Sequence, residues 1–274
     1  MAAAPLRVDA EVVRNAKEGG VNHRLVLACD GFEGFAPGQF AMLSAGARTS
    51  ARRSDPLLPR PMALYRARTV AGRAELEILY KVHGRGTALL AEALPGQRVR
   101  VVGPLGTPFP IPKEGGGTPS ILVGGGTGTA SLFELARRAS RSGPVAVLLG
   151  ARSSADLMAV DDFEALGEPV EVAVATEDGS RGTAGRVTRL LEAALEARPG
   201  ARVYACGPTP MMRACAELAE ASGTRCWVSL ENTMACGFGV CLGCAVPLEE
   251  GGFGLVCRRG PIFESTEVTW SGLP

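Results

Sequence analysis

Four cysteines near the C-terminal end of the sequence stand at spacings that could hold a metal centre. Cys236, Cys241 and Cys244 form C-x4-C-x2-C, and Cys257 follows with twelve residues between. The plant-type [2Fe–2S] pattern is C-x4-C-x2-C with a distant fourth cysteine, because four thiolates must converge on two irons while a short loop wraps them. Gly237, Gly239 and Gly243 lie in that loop, where the backbone must come close to the cluster and adopt positive φ. Amides freed there could hydrogen-bond the sulfurs and tune the potential. Two alternatives stand beside this reading. Structural zinc also takes four thiolates, though usually in two short paired spacings. Disulfides are disfavoured in a reducing compartment. Cys29, Cys215 and Cys226 sit on apolar stretches and read as small core residues.

A second constellation is built for phosphate. Gly124, Gly125, Gly126, Thr127 and Gly128 follow a strand-like run and open a helix-like one. Glycines there let the backbone approach a ligand, and a helix start attracts anionic phosphate. No Gly-Lys-Ser/Thr follows, so this is not a P-loop, and Ser131 stands where the third glycine of G-x-G-x-x-G belongs. A tight strand-to-helix turn without ligand is the plain alternative. Cys206, Gly207 and Pro208 end another strand of the same sheet, where ligands of open α/β sheets bind. A small thiol there could pack against a nicotinamide ring. Arg152 and Ser153 follow a neighbouring strand and could meet an adenine ribose or its 2′-phosphate, so the choice between NAD and NADP stays open.

The elements that must carry these residues fall into three regions. Residues 1–112 show six short apolar stretches (Leu6–Val13, His23–Ala28, Gln39–Leu43, Pro61–Tyr65, Ala74–Val82 and Arg98–Val102) separated by turn residues, which predicts a β-barrel or sandwich. Thr87–Ala93 predicts one helix, and Arg48–Pro59, with Arg48, Arg52 and Arg53, a solvated loop. Lys113–Pro119 reads as a linker. Residues 118–228 alternate five buried-type strands with four helical stretches near Thr129–Arg141, Ala155–Leu166, Gly185–Ala197 and Pro210–Ala221, predicting a parallel sheet with helices on both faces. Residues 229–274 are too glycine-rich for a helix and hold the four-cysteine motif.

Composition narrows the classes. The 274 residues are 46% hydrophobic with a net charge of +1, which disfavours a disordered chain and a nucleic-acid binder. Aromatics, at 5%, are too few for a base-stacking platform. No apolar run of membrane-spanning length occurs, and Arg7, Asp9, Glu11 and Arg14 interrupt any signal-like start, so a cytoplasmic protein is expected. The near-neutral total hides an asymmetry: residues 1–117 carry 16 basic and 10 acidic side chains, residues 229–274 only 2 and 5. His23 and His83 are the two histidines, and neither has a carboxylate or serine at motif spacing.

Several motifs in order carry a resemblance. Arg60-Pro61-Met62-Ala63-Leu64-Tyr65 lies on a barrel strand. Leu79-Tyr80-Lys81-Val82 precedes Gly84-Arg85-Gly86-Thr87, and then come the Gly124–Thr129 loop, Cys206-Gly207-Pro208 and the cysteine tail. The chain resembles the ferredoxin-reductase-like flavoproteins. With the tail, and with Pro37–Phe40, Gly103–Gly106 and Leu230–Gly237, it is similar to the electron-transfer subunits of NAD-dependent (class 1B) dihydroorotate dehydrogenases. The resemblance implies a six-stranded Greek-key barrel holding FAD, a five-stranded parallel sheet binding NAD(H), and a small [2Fe–2S] module. It implies that Arg60 pairs with the FAD pyrophosphate, that Met62 and Ala63 run beside the flavin ring, and that Leu79, Tyr80, Lys81, Gly86 and Thr87 complete the site. The family usually has Ser or Thr where Ala63 stands, so a hydroxyl near flavin N5 is missing here. It also implies electron transfer, in pyrimidine biosynthesis, between NAD⁺ and an FMN-containing catalytic subunit that oxidises dihydroorotate, in a heterotetramer with two of each subunit. A reductase subunit of a hydrogenase or of a ferredoxin–NADP oxidoreductase shares these motifs, and a zinc-stabilised interaction module is the reading from another class.

Overall fold

The protein was analysed as a computed structural model that describes residues 4–44 and 58–273. The arginines at 48, 52 and 53, with most of the expected Arg48–Pro59 loop, lie outside the described residues.

The first region forms an antiparallel sheet of β1 (Leu6–Gly19), β2 (Asn22–Ala28), β3 (Phe40–Ser44), β4 (Arg60–Ala63), β5 (Arg66–Val70), β6 (Arg73–Lys81) and β7 (Arg98–Leu105), ordered β4-β3-β7-β1-β2-β6-β5. The seventh strand, β5, adds to the six the sequence predicts. It continues β4 around a corner at Leu64–Tyr65. The Leu64 amide still donates to Gln39 on the β3 side, while the Tyr65 amide donates to Glu77 on β6. One chain segment thus joins both edges and curls the sheet upon itself, which removes exposed edges. Leu25, Leu27, Leu43, Leu76, Ile78, Tyr80, Val99 and Val101 fill its interior. Helix α1 (Arg85–Ala91) covers one end; Asn15 Nδ2 donates to the carbonyls of Leu90 and Ala93 at its C-terminal end.

The second sheet is built on β8 (Ser120–Gly125), β9 (Val145–Ala151), β10 (Val170–Thr176), β12 (Arg202–Cys206) and β13 (Cys226–Ser229), the five parallel strands expected. Two short strands extend its edges: parallel β11 (Thr183–Ala184), and antiparallel β16 (Ile262–Glu264) from the tail. The sheet is therefore mixed, ordered β11-β10-β9-β8-β12-β13-β16. Helices α2 (Phe133–Ala139), α3 (Val160–Glu164), α4 (Thr188–Ala197) and α5 (Thr209–Ala221) cover it. Alternate residues of β8 enter two cores: Ile121 and Val123 on one face, Leu122 on the other. Burial on both faces is why these strands read as continuous apolar runs. Two expected helices are shorter than their sequence pattern. Gly126–Leu132 is a 3-10 turn before α2, and Ala159 in the left-handed region (φ 59°) separates a 3-10 turn at Ser154–Asp156 from α3.

The tail adds the hairpin β14 (Ala245–Pro247) and β15 (Phe253–Leu255). It also bridges the two sheets: β16 pairs with β13, while the Thr107 amide, just past β7, donates to Gly260 at 2.7 Å.

Candidate functional site

The cysteine loop hangs between the sheets. Gly237 (φ 82°) and Gly239 (φ 87°) occupy backbone conformations that L side chains rarely adopt. A Cβ on Gly237 would lie 2.5 Å from Met42 Cγ and 3.3 Å from Leu105 Cδ1, so the loop rests directly on the barrel. Met42 is the register partner of Pro61 in the candidate flavin strand β4. Cysteine ligands and flavin strand are thus separated by one β-strand.

The thiols come in two pairs. Cys244 Sγ and Cys257 Sγ are 3.3 Å apart, and both residues are buried. Cys236 and Cys241 are within hydrogen-bonding reach of each other, and Cys241 is exposed. Burial opposes ionisation of Cys236, but the backbone N–H groups of Cys241, Phe238 and Val240 turn toward its sulfur and hold the thiol down at about 6. Two cysteine pairs, one of them with backbone amides turned toward Cys236, match the way a two-iron cluster is held, each iron taking two protein sulfurs. None of the eight cysteines is in a disulfide. Within the cysteine loop Phe238, Val240 and Leu242 are 50%, 75% and 63% exposed.

The flavin candidates gather around one cavity of about 380 Å³. Pro61, Met62, Ala63, Leu79, Tyr80, Lys81 and Thr87 line it, together with Thr127 from the glycine loop. Arg60 lies just outside. Its guanidinium folds over Gly86, where any Cβ would collide with it, and Nη1 donates to Leu58 O at 2.7 Å. Gly86 therefore makes the space in which the Arg60 guanidinium lies beside the start of α1. Thr87 Oγ1 accepts from the His83 amide at 2.7 Å and ties the strand end to the helix start. The cradle fits a flavin: flat apolar walls, a cation at one end, and no side chain filling the middle.

The nucleotide candidates line two further cavities, of about 490 and 570 Å³. Gly125, Gly126 and Thr127 border both; Gly128, Gly207 and Pro208 border the larger. Gly126 (φ 55°) has open space where a Cβ would be, so its backbone faces the cleft. Gly125 and Gly128 are packed from behind: a Cβ on Gly125 would sit 2.6 Å from Met211 Sδ, and one on Gly128 would strike the Cys206 carbonyl. Gly124 and Cys206 are buried beneath the floor and border none of these three cavities. Loss of solvation pushes the Cys206 thiol up to about 12, with Ser131 and Ser229 as its polar neighbours. Cys206 thus lies with its thiol buried beneath the cleft. Arg152 borders the 490 Å³ cavity, whereas the Ser153 hydroxyl is taken by Asp156 at 3.2 Å.

Sequence reasoning missed the shared wall. Glu231 and Asn232 border both the flavin cavity and the larger nucleotide cavity. Crowding protein raises the Glu231 carboxyl by desolvation. Both residues fall in Leu230–Gly237, a segment that carries the family resemblance but shows no binding pattern of its own. Glu177 and Arg186 also border the 490 Å³ cavity. His83 borders the flavin cavity, while His23 stacks on Tyr80 with ring centroids 5.4 Å apart.

A curled antiparallel barrel beside an α/β nucleotide sheet, with cavities meeting at the seam, defines a ferredoxin-reductase-like oxidoreductase. Solved structures agree. A chain of the NADH-dependent reduced ferredoxin-NADP oxidoreductase superposes with TM-score 0.82 at 28% identity, over 96% of this chain and 91% of that one. The ferredoxin reductase of carbazole 1,9a-dioxygenase superposes with TM-score 0.68 at 26% identity, over 82% and 68%. Residues 231–269 match the iron–sulfur cluster binding domain of dihydroorotate dehydrogenase B, and residues 122–217 match the oxidoreductase NAD-binding domain. The electron transfer subunit of dihydroorotate dehydrogenase B (NAD(+)) from Bacillus caldolyticus is 42% identical over 236 residues, 85% of this chain and 86% of the relative. That of Geobacillus kaustophilus (strain HTA426) is 42% identical over the same shares. The chain belongs to the family of dihydroorotate dehydrogenase B electron transfer subunits. Its cofactors are FAD, a [2Fe–2S] cluster and NAD(H).

Proposed function

We propose that this chain carries electrons between NAD⁺ and an FMN-containing catalytic subunit that oxidises dihydroorotate, in an assembly of two copies of each subunit. The observation that carries the reading is the seating of the cysteine loop on Met42, one strand from the flavin cavity, with its outer edge open. The bound groups would supply the chemistry: two-electron hydride exchange between nicotinamide and FAD, and single-electron traffic between FAD and the cluster.

The chain's own residues bind, orient and shield. Arg60 holds the FAD pyrophosphate. Met62, Ala63, Leu79 and Tyr80 wall the flavin ring, and Lys81 and Thr87 close its ends. The Gly125–Gly128 loop and Gly207-Pro208 admit the dinucleotide; Gly124 and Cys206 form the packed floor beneath. Cys236, Cys241, Cys244 and Cys257 ligate the cluster. Three functional units correspond to residues 1–112 (FAD), 118–228 (NAD) and 229–274 (cluster). Exposed Phe238, Val240 and Leu242 make an apolar rim suited to a protein partner. Among the described residues no helix is long and apolar enough to cross a membrane. Thiolate ligands and unpaired cysteines favour work in a reducing cytoplasm.

The test is reconstitution. Chain loaded with FAD and cluster is mixed with the FMN-bearing catalytic subunit, and dihydroorotate-dependent NADH formation is followed together with the mass of the complex. Neither a complex nor NADH formation is expected if the partner is instead a hydrogenase or ferredoxin-linked subunit. A colourless protein with stoichiometric zinc would overturn the redox reading altogether.

A further inference from the structure

One charged cluster outside the cofactor cavities spans both lobes. Asp162 on α3 reaches from the nucleotide lobe into the barrel. Its Oδ2 accepts from Arg24 Nη2 at 2.5 Å and from the Tyr65 hydroxyl at 2.7 Å, and its Oδ1 lies 3.5 Å from Arg66 Nη1. The three donors are barrel residues on β2, at the β4–β5 corner and on β5. They are fixed from behind by Glu77 of β6, whose side chain is 0% exposed. It takes Arg24 Nη1 at 3.0 Å and Arg66 Nη2 at 2.9 Å. Glu18 pairs with Arg24 Nε. The Tyr65 ring lies under both guanidinium groups, 5.2 Å from that of Arg24 and 5.6 Å from that of Arg66, and against Phe133 of α2 at 4.7 Å. Among the described residues, Asp162 is the one carboxylate that the nucleotide lobe brings to this network.

The network touches the cofactor cavities through the backbone on both sides. Tyr65 follows Ala63, the end of the flavin strand, by two residues. Glu77, Leu79 and Lys81 alternate along β6 and so project from the same face. Leu79 walls the flavin cavity, and Lys81 borders all three cavities. On the other lobe, Arg152 and Asp156, which border a nucleotide cavity, lie on the segment that leads into α3. That segment is fastened a second time: Asn22 Nδ2 donates to Asp156 O at 3.4 Å, and Lys81 Nζ is 3.8 Å from Asp156 Oδ1. The tail closes the opposite side of the cleft through Thr107 and Gly260. Removing Asp162 would therefore loosen one side of a cleft still joined at the other.

We propose that Asp162 is a positioning residue. It pins the nucleotide lobe to the Leu64–Tyr65 corner of the barrel and so fixes the gap across which flavin and nicotinamide face each other. The inference rests on the hydride-exchange reading above. Hydride exchange needs near-contact distances, and a misplacement of about 1 Å can cost on the order of 100-fold in rate.

The test uses the full chain, loaded with FAD and cluster, as wild type and as Asp162→Ala, Asp162→Glu and Tyr65→Phe. Flavin bleaching is followed by stopped flow over a range of NADH concentrations, and hydrogen exchange is measured without NADH. Asp162→Ala should lower the limiting bleaching rate at least about tenfold, with the half-saturating NADH concentration moving less than about threefold. Asp162→Glu, which keeps the charge, should recover most of the rate. Tyr65→Phe, which removes one hydrogen bond and no charge, should fall between and guards against an Asp162→Ala chain that does not fold. Amides of residues 152–164 and 64–68 should exchange faster in the slowed variants while bleaching by dithionite is unchanged. Folded Asp162 and Tyr65 variants with the wild-type limiting rate, whatever their melting temperatures, would overturn the proposal. So would unchanged hydrogen exchange in both segments. Wild-type protein that NADH fails to bleach would instead overturn the hydride-exchange reading, and the exchange data would still decide whether Asp162 clamps the lobes.

Discussion

Replacing Gly237 with alanine should cost the protein its cluster before it costs the fold. At φ 82° an L-residue carries a penalty of roughly 1–2 kcal/mol. The new methyl would also lie 2.5 Å from Met42 Cγ and 2.9 Å from its Sδ, and Met42 is 1% exposed with no space to retreat into. Overpacking of this kind typically costs about 1–3 kcal/mol. Together the two terms oppose the native loop by about 2–5 kcal/mol, enough to make the displaced loop dominant unless cluster binding restores it. Iron and sulfide content, the rhombic EPR signal of the reduced protein and the urea unfolding curve measure the effect. The steric part can be isolated with Met42→Ala. That change alone costs about 2–5 kcal/mol as a cavity, but it relieves the clash, so the double variant should be about 1–3 kcal/mol more stable than the two losses added. A Gly237→Ala protein with a full cluster and wild-type stability would refute the packing. So would losses that simply add, because they would mean that the loop does not rest on Met42.

Cys241→Ser should abolish the EPR signal while NADH still bleaches the flavin at near the wild-type rate; loss of both would make the cluster a structural element of the flavin site. Val240→Asp places a charge on the apolar rim (Val240 is 75% exposed) and should weaken binding of the catalytic subunit about tenfold or more while leaving the EPR signal and NADH bleaching intact, as titration by light scattering would read. Glu134→Gln tests an acid-side contribution. Burial opposes ionisation of Glu134, but Arg137 at 2.7 Å and Arg138 at 2.7 Å hold its carboxyl below the usual value. A depressed carboxyl stabilises the fold above its unfolded value of about 4.3 and loses that contribution as pH falls through the folded value. Wild type should therefore exceed the variant by about 1 kcal/mol at pH 6 in urea unfolding, since the arginines are partly exposed, and the gap should close below pH ~4. A gap that widens in acid would reverse the sign of the argument.

The parts of this molecule legible in the sequence are those whose pattern has one structural solution. Ile121–Gly124, Val145–Gly150 and Val203–Ala205 are continuous apolar runs because helices cover both faces of the sheet, and a continuous apolar run flanked by helical periodicity leaves little else to build. The cysteines are legible because ligation constrains spacing more tightly than packing does. The features that the pattern does not show share another cause: most lie where one part of the molecule covers another. Ala74-Glu75-Leu76-Glu77-Ile78 alternates as a half-exposed strand would, and that alternation carries no sign of a buried carboxylate. Glu77 is fully buried, because the nucleotide lobe lies over that face and the barrel's own Arg24 and Arg66 pair with it there. Ile262–Glu264 reads as part of an irregular tail, since three residues carry no periodicity, yet it pairs with β13 and completes the second sheet. Cys206 follows the same logic in reverse. Its position at a strand end is right for a ligand contact, but Gly128 packs over its carbonyl and closes the floor above it. Periodicity reports burial within an element, and none of these residues is buried by its own element. The seam between lobes is also where the cavities meet, so Glu231, Asn232 and Asp162, silent as sequence, are the residues whose variants say most about how the two lobes hold their cofactors together.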